Sequence, residues 1–263
     1  MNNTAVIEHI VAWMKDYVGQ SHTKGFVVGV SGGIDSALTS TLAARTGLPT
    51  LCLEMPIHQP SSQVTRAREH IAQLEAKYPN VSSIETDLTP VFEQFIASLP
   101  AVDNEDDRFL SLANARARLR MTTLYYFAGL HNYIVAGTGN KVEDFGVGFY
   151  TKYGDGGVDI SPIADLMKTE VFSLAETLGV IEAIQVAKPT DGLWDDDRSD
   201  EDQIGATYPE LEWAMEYDEA DQPEASLSER EKEVLAIYTR LNRANQHKMN
   251  PIPVCEIPAD LKV

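Results

Sequence analysis

A short apolar run, Phe26–Val30, gives way to Ser31-Gly32-Gly33-Ile34-Asp35-Ser36, or SGGIDS. Gly32 and Gly33 can adopt positive φ and, lacking side chains, let a ligand come close to backbone N–H groups. Ser31 and Ser36 add hydroxyl donors. A helix starting near Asp35 would add its unsatisfied N–H groups and the positive end of its dipole, which together favour an anion. The pattern GxxxxGK[ST], whose lysine reaches the outer phosphates of a nucleotide, occurs nowhere in the chain. Asp35 is misplaced beside a phosphate on its own, but makes sense if it holds Mg²⁺, which uses one or two carboxylates plus phosphate oxygens. The plainer alternative is a tight turn in which Asp35 caps the helix.

The elements that must position this turn follow from the apolar periodicity. Val6, Ile7, Ile10, Val11, Trp13, Met14 and Val18 fall at helical spacing, with Asn3 or Thr4 as cap. Strands are expected at Phe26–Val30, Pro49–Met55, Val81–Thr86 and Tyr133–Ala136. Between them the pattern predicts helices at Ser36–Arg45, Ser61–Tyr78, Pro90–Leu99 and Arg108–Leu130. This alternation implies βαβ units and a mostly parallel sheet with helices on both faces. Ligands of such sheets bind beyond the carboxyl ends of the strands, where SGGIDS and a second glycine turn, Gly137-Thr138-Gly139-Asn140, both lie. Beyond Thr190 the alternation fades into acidic loops and two helices, near Pro209–Tyr217 and Leu227–Gln246.

The 263 residues carry 40 acidic and 21 basic side chains, a formal charge of −19. That balance argues against a nucleic-acid backbone as partner. Asp191–Glu233 alone holds 17 acids and 3 bases, which reads as a solvated face, its first part a candidate lid. Cys52 and Cys255 stand far apart with no CxxC spacing, so neither a disulfide framework nor a cysteine zinc site is expected, and a reducing, cytoplasmic setting fits. The N-terminal segment lacks the basic start of a signal peptide, and no apolar run approaches a membrane span.

SGGIDS resembles the pyrophosphate-gripping S-G-G-x-D-S loop of N-type ATP pyrophosphatases, which cleave ATP between its α and β phosphates. Within that superfamily, GTGNKVEDFGVGFYTKYGDGGVDISPIADLMKTEV (Gly137–Val171) is similar to ammonia-dependent NAD synthetase, as are NARARLRM (Asn114–Met121), KPTDGL (Lys188–Leu193) and His247-Lys248. The resemblance runs over nearly the whole chain. It implies an open, mostly parallel five-stranded sheet of the adenine nucleotide alpha hydrolase type with a helical C-terminal extension. It also implies one domain over 1–263, without a glutaminase domain. The implied reaction amidates deamido-NAD to NAD with ammonia, through an acyl-adenylate, and splits ATP into AMP and pyrophosphate. A member acting on another acceptor is the alternative.

The resemblance also implies residue roles. Gly29, Val30, Ser31, Gly32, Gly33, Ile34, Asp35 and Ser36 would wrap the ATP phosphates, joined by Thr138, Lys168 and Thr190. Asp35 and Glu143 would hold Mg²⁺, with Asp35 and Lys168 as the catalytic pair. Without the resemblance, Lys168 reads as a helix-surface lysine. Arg118, Lys152, Asp159, His247 and Lys248 would bind deamido-NAD, near the interface of a homodimer. Arg116, Arg118 and Arg120 alternate and cannot share one helical face, so at least one is expected to be solvated or paired. Two departures stand out: GTGNK where familiar bacterial forms have GTDHA, and one extra residue within EDFGVGFYTK.

Overall fold

The computed structural model describes residues 1–190, 199–220 and 227–262. Helix α1 (Asn3–Gln20) leads into β1 (Phe26–Gly29), α2 (Ile34–Arg45), β2 (Thr50–Glu54), α3 (Ser61–Lys77) and β3 (Val81–Glu85). Then come α4 (Thr89–Ala97), the long α5 (Glu105–His131) and a two-residue β4 (Ile134–Val135). The four strands are parallel and ordered β3-β2-β1-β4. Alternation along β1 sends Phe26 and Val28 into one apolar cluster with α1, α2 and α6 (Lys168–Leu178). Val27 turns instead to a second cluster with α4 and α5. Helices therefore cover both faces, as the alternation in sequence implies.

The sheet has four strands, not the five that the resemblance implies. Where a fifth would run beside β4 there is a single parallel bridge, Ala136 to Ile160. The outward N–H of Val135 donates 2.8 Å to the Asp159 side chain. A carboxylate thus takes the place of a neighbouring strand's carbonyl. Pro162, with no N–H to give, follows at once.

A third cluster joins the residues after the second glycine turn to the C-terminal helices α8 (Asp200–Ile204), α9 (Tyr208–Glu219) and α10 (Glu229–Met249), following the short α7 (Glu182–Gln185). Here Val142–Val147 forms a π-helical turn, closed by a bond from Gly148 N–H to the Glu143 carbonyl. Its wider i→i+5 ring holds one more residue than an α-helical turn and falls within EDFGVGFYTK. Of the predicted acidic lid, residues 191–198 lie outside the described residues. No helix among the described residues is long and apolar enough to cross a membrane.

Candidate active site

The carboxyl ends of β1 and β4 open into a cavity of about 860 Å³, and every residue from Gly29 to Ser36 lines it. Gly32 sits at φ +82°, and a Cβ there would come within 2.5 Å of the Gln63 carbonyl oxygen. Both strain and contact thus demand glycine. Gly33 needs no such freedom: it is the N-cap of α2 with φ −96°, so one of the two glycines takes the positive φ and not both. The serines stabilise the turn itself. Ser31 N–H donates to Ser36 Oγ at 3.2 Å, Ser36 Oγ donates to the Gly33 carbonyl at 3.0 Å, and Gly33 N–H donates to Ser31 Oγ at 3.2 Å.

Asp35 does not cap its helix. Its Oδ2 accepts from Lys168 Nζ at 2.6 Å and its Oδ1 from Asn140 Nδ2 at 3.0 Å. Lys168 Nζ also donates to Glu143 Oε1 at 2.9 Å. The Lys168 side chain is 3% exposed, so the helix-surface reading is overturned: it begins α6 facing inward, between two acids. Tyr208, the first residue of α9, donates from its hydroxyl to Glu143 at 2.5 Å, and its ring centroid lies 4.6 Å from Lys168 Nζ. Asn140 also accepts from the Glu143 backbone N–H.

Burial works against every charge in this cluster, and the partners decide the outcome. It pushes Asp35 above the usual carboxylate range, despite Lys168. In Glu143 burial acts the same way, but Lys168 and the Tyr208 hydroxyl overcome it and hold the group low. Burial disfavours the Lys168 ammonium too, yet Asp35 and Glu143 keep it charged, above its ordinary pKa.

Asp144 belongs to the same wall. Its carboxylate lies over Gly139, where a Cβ would stand 2.2 Å from both oxygens, and among the described residues its side chain has no hydrogen-bond partner. Burial, with Glu143, Asp155 and Asp35 nearby, pushes it up to about 8. This explains the GTGNK departure: with Asp144 in place, an aspartate at 139 would meet it head-on. Asp155, also on the wall, accepts from Thr151 N–H at 3.0 Å.

Thr138, Glu143, Lys168 and Thr190 line the cavity, and so do Arg118, Lys152, His247 and Lys248. Lys152 Nζ donates to the His247 carbonyl, and Arg118 Nε donates to the Lys152 carbonyl at 3.2 Å. Lys248 Nζ donates to the carbonyls of Gly148 and Tyr150. Asp159 is not on this wall. It accepts from Tyr125 OH and Val135 N–H and lines a second, shallower pocket with Trp13 and Phe145. The sequence reading missed Asn140, Asp144, Asp155, Arg120 and Tyr208. Asn140 and Asp144 flank chosen residues in sequence, whereas nothing in the chain near Tyr208 points to Glu143.

A glycine turn at a helix start, a buried lysine between two carboxylates and a basic opposite wall form one constellation. A model of the NAD synthase family matches residues 6–252. The chain belongs to that family. An NH(3)-dependent NAD(+) synthetase of Carboxydothermus hydrogenoformans is 35% identical over 92% of this chain and 93% of that protein. Among solved structures, NMN synthetase from Francisella tularensis superposes with a TM-score of 0.83 at 32% identity, covering 98% of this chain and 99% of that one. NH3-dependent NAD synthetase from Campylobacter jejuni gives 0.78 at 26% identity, covering 97% and 100%. As an NAD synthase family fold, the cavity lies at the strand ends where open parallel sheets take their ligands.

Proposed function

We propose that the chain is a carbon–nitrogen ligase that amidates deamido-NAD to NAD with ammonia, splitting ATP into AMP and pyrophosphate. The observation that carries this reading is Lys168 held between Asp35 and Glu143 directly beside the phosphate-receiving turn. A carboxylate resists amidation because it is a poor electrophile with a poor leaving group. ATP removes that obstacle: the nicotinate carboxylate attacks the α-phosphorus, pyrophosphate leaves, and an acyl-adenylate results. Ammonia then attacks the acyl carbon and AMP departs.

Both steps gather negative charge, so catalysis rests on positioning and electrostatics rather than on a protein nucleophile. The free backbone N–H groups of Gly32 and of Ile34–Ser36 at the start of α2 receive the phosphates, with Lys168 lining the same cavity. Thr138 and Thr190 contact ATP from the cavity edge. Arg118, Lys152, His247 and Lys248 orient deamido-NAD on the basic wall. Asp155, on the same wall, draws ammonium towards the acyl carbon.

The Asp35 and Glu143 oxygens fit Mg²⁺. Both are hard donors on one wall, and each carboxylate keeps lone pairs beyond those that Lys168, Asn140 and Tyr208 occupy. When bound, the ion neutralises charge on the phosphates and on departing pyrophosphate. We read residues 6–252 as one NAD synthase domain working in the cytoplasm and drawing on free or separately supplied ammonia. The reading includes a homodimer, for which the exposed Tyr126 and Leu130 on α5 offer an apolar face.

The test is a coupled assay with MgATP, ammonium and deamido-NAD, an alcohol dehydrogenase reporting NAD. Pyrophosphate and AMP should form in equal amounts, and only with both co-substrates present. ADP as the product would refute the reading. Asp35→Asn, which keeps shape and loses charge, should cut the rate by roughly 1000-fold or more, as for removal of a principal electrostatic group. Nicotinate mononucleotide is run alongside, because one structural relative is an NMN synthetase. Preferential turnover of the mononucleotide would reassign the acceptor and leave the chemistry standing.

A further inference from the structure

Arg120 differs from the other cations of the cavity. It sits on the inner face of α5 and lines the cavity. Its Nε donates 3.0 Å to the Met55 carbonyl at the end of β2, and its Nη2 donates 2.7 Å to Gln59 Oε1. Both partners are neutral. Among the described residues no carboxylate pairs with Arg120, whereas Lys168 has two. A second guanidinium, Arg116, stands one helical turn away and over the Phe92 ring. Burial and this like charge push Arg120 down to about 10, against the pull of the Asp155 carboxylate, which acts through space without forming an ion pair.

A guanidinium partly withdrawn from water with no carboxylate bonded to it is costly to the fold. Two neutral acceptors fix its plane and leave the Nη1 hydrogens unassigned. That arrangement spends folding stability to hold a cation ready, and the ligand that repays it must bring negative oxygens. From this we infer that Arg120 is a phosphate-binding residue of the cavity, its plane set by Met55 and Gln59, and that nucleotide binding supplies its missing counter-ion. The inference rests on the proposed reading of the cavity as a nucleotide site. The phosphate belongs either to ATP or to the diphosphate bridge of deamido-NAD, and the experiment separates the two.

Wild type and Arg120→Gln are compared by thermal unfolding, alone and with MgATP, inorganic pyrophosphate or deamido-NAD, and by KM for each co-substrate. Without ligand, Arg120→Gln should melt at the same temperature as wild type or higher, since a strained charge is gone. With ligand it should lose the stabilisation that wild type gains, and KM should rise roughly 10- to 100-fold, the range for one charge-assisted hydrogen bond. Loss confined to MgATP and pyrophosphate assigns the ATP phosphates, whereas loss confined to deamido-NAD assigns its diphosphate. Arg120→Lys should recover part of the affinity, as a point charge without the planar fork. A lower melting point in Arg120→Gln with ligand shifts and KM values intact would make Arg120 a structural tie and overturn the inference. If wild type itself gains nothing from MgATP, the nucleotide reading fails first, independently of Arg120.

Discussion

The turn after β1 and the cluster around Lys168 meet at Asp35, but they are assembled in opposite ways. The turn is a local object: Gly29 to Ser36 supply its backbone, its glycine at positive φ and its serine bonds. The cluster is drawn from the first turn of α2, the π-helical turn, the start of α6 and the start of α9. One depends on what eight adjacent residues can do in any strand-to-helix connection; the other depends on tertiary packing bringing Asn140, Glu143, Lys168 and Tyr208 to one point. The turn, hydrogen-bonded to α3 among the described residues only through Arg66 Nε on the Gly32 carbonyl, should therefore tolerate changes elsewhere better than the distributed charge cluster does.

The sharpest way to break that contrast is Lys168→Met. With the ammonium gone, Asp35 and Glu143 would face each other in a buried site without compensation. Stability should fall by about 3–5 kcal/mol, the usual cost of orphaning a buried charge, and NAD formation should be lost. Urea unfolding and the coupled assay read the two effects. Wild-type stability in Lys168→Met would mean that the cluster is not held together by its central cation, and the contrast with the turn would dissolve.

The same difference decides what could be read in the sequence. The turn at SGGIDS is legible because its residues act on each other across short spacings. The four strands and most helices show through their apolar periods, whereas the π-helical turn within EDFGVGFYTK has no such signal. Lys168, by contrast, reads as a surface lysine in DLMKTEV, since nothing local says that its helix begins against two acids. Tyr208 lies 65 positions from the carboxylate it holds, and no spacing rule spans that distance. The fifth strand failed for a related reason: a side chain, Asp159, takes the N–H that a strand would have used, and periodicity does not register such a substitution.

Tyr208→Phe sharpens the comparison at smaller scale, because it keeps the ring beside Lys168 and removes the bond to Glu143. A lost hydrogen bond to a charged group predicts a decrease of about 1.5–3 kcal/mol in stability at most. The rate of NAD formation should fall roughly 10-fold, as for a displaced positioning partner, with KM for ATP little changed. An altered KM for ATP with an unchanged maximal rate would place Tyr208 with the phosphate grip instead.

The last test concerns the local side, and its expected effect on the chemistry is the smallest. His70 is fully buried on α3, and its Nε2 lies 3.0 Å from Ser40 Oγ. Ser40 directs its own proton to the Ser36 carbonyl at 2.7 Å, so Nε2 carries the proton and Nδ1 is bare, with no partner among the described residues. Burial pushes His70 down to about 4. Between that value and the unfolded value near 6.5, the unfolded chain binds the extra proton and the folded one does not, so stability must fall as pH is lowered through this window. The full contribution is about 3 kcal/mol, present above pH 7 and gone below pH 4. Urea midpoints at pH 7 and pH 5 should differ more for wild type than for His70→Gln, which can still donate to Ser40 but does not titrate. Parallel pH profiles for the two would show that the helix behind the phosphate turn is insensitive to His70. The turn would then owe its shape to its own eight residues alone, and the line between local and distributed construction would be drawn more sharply still.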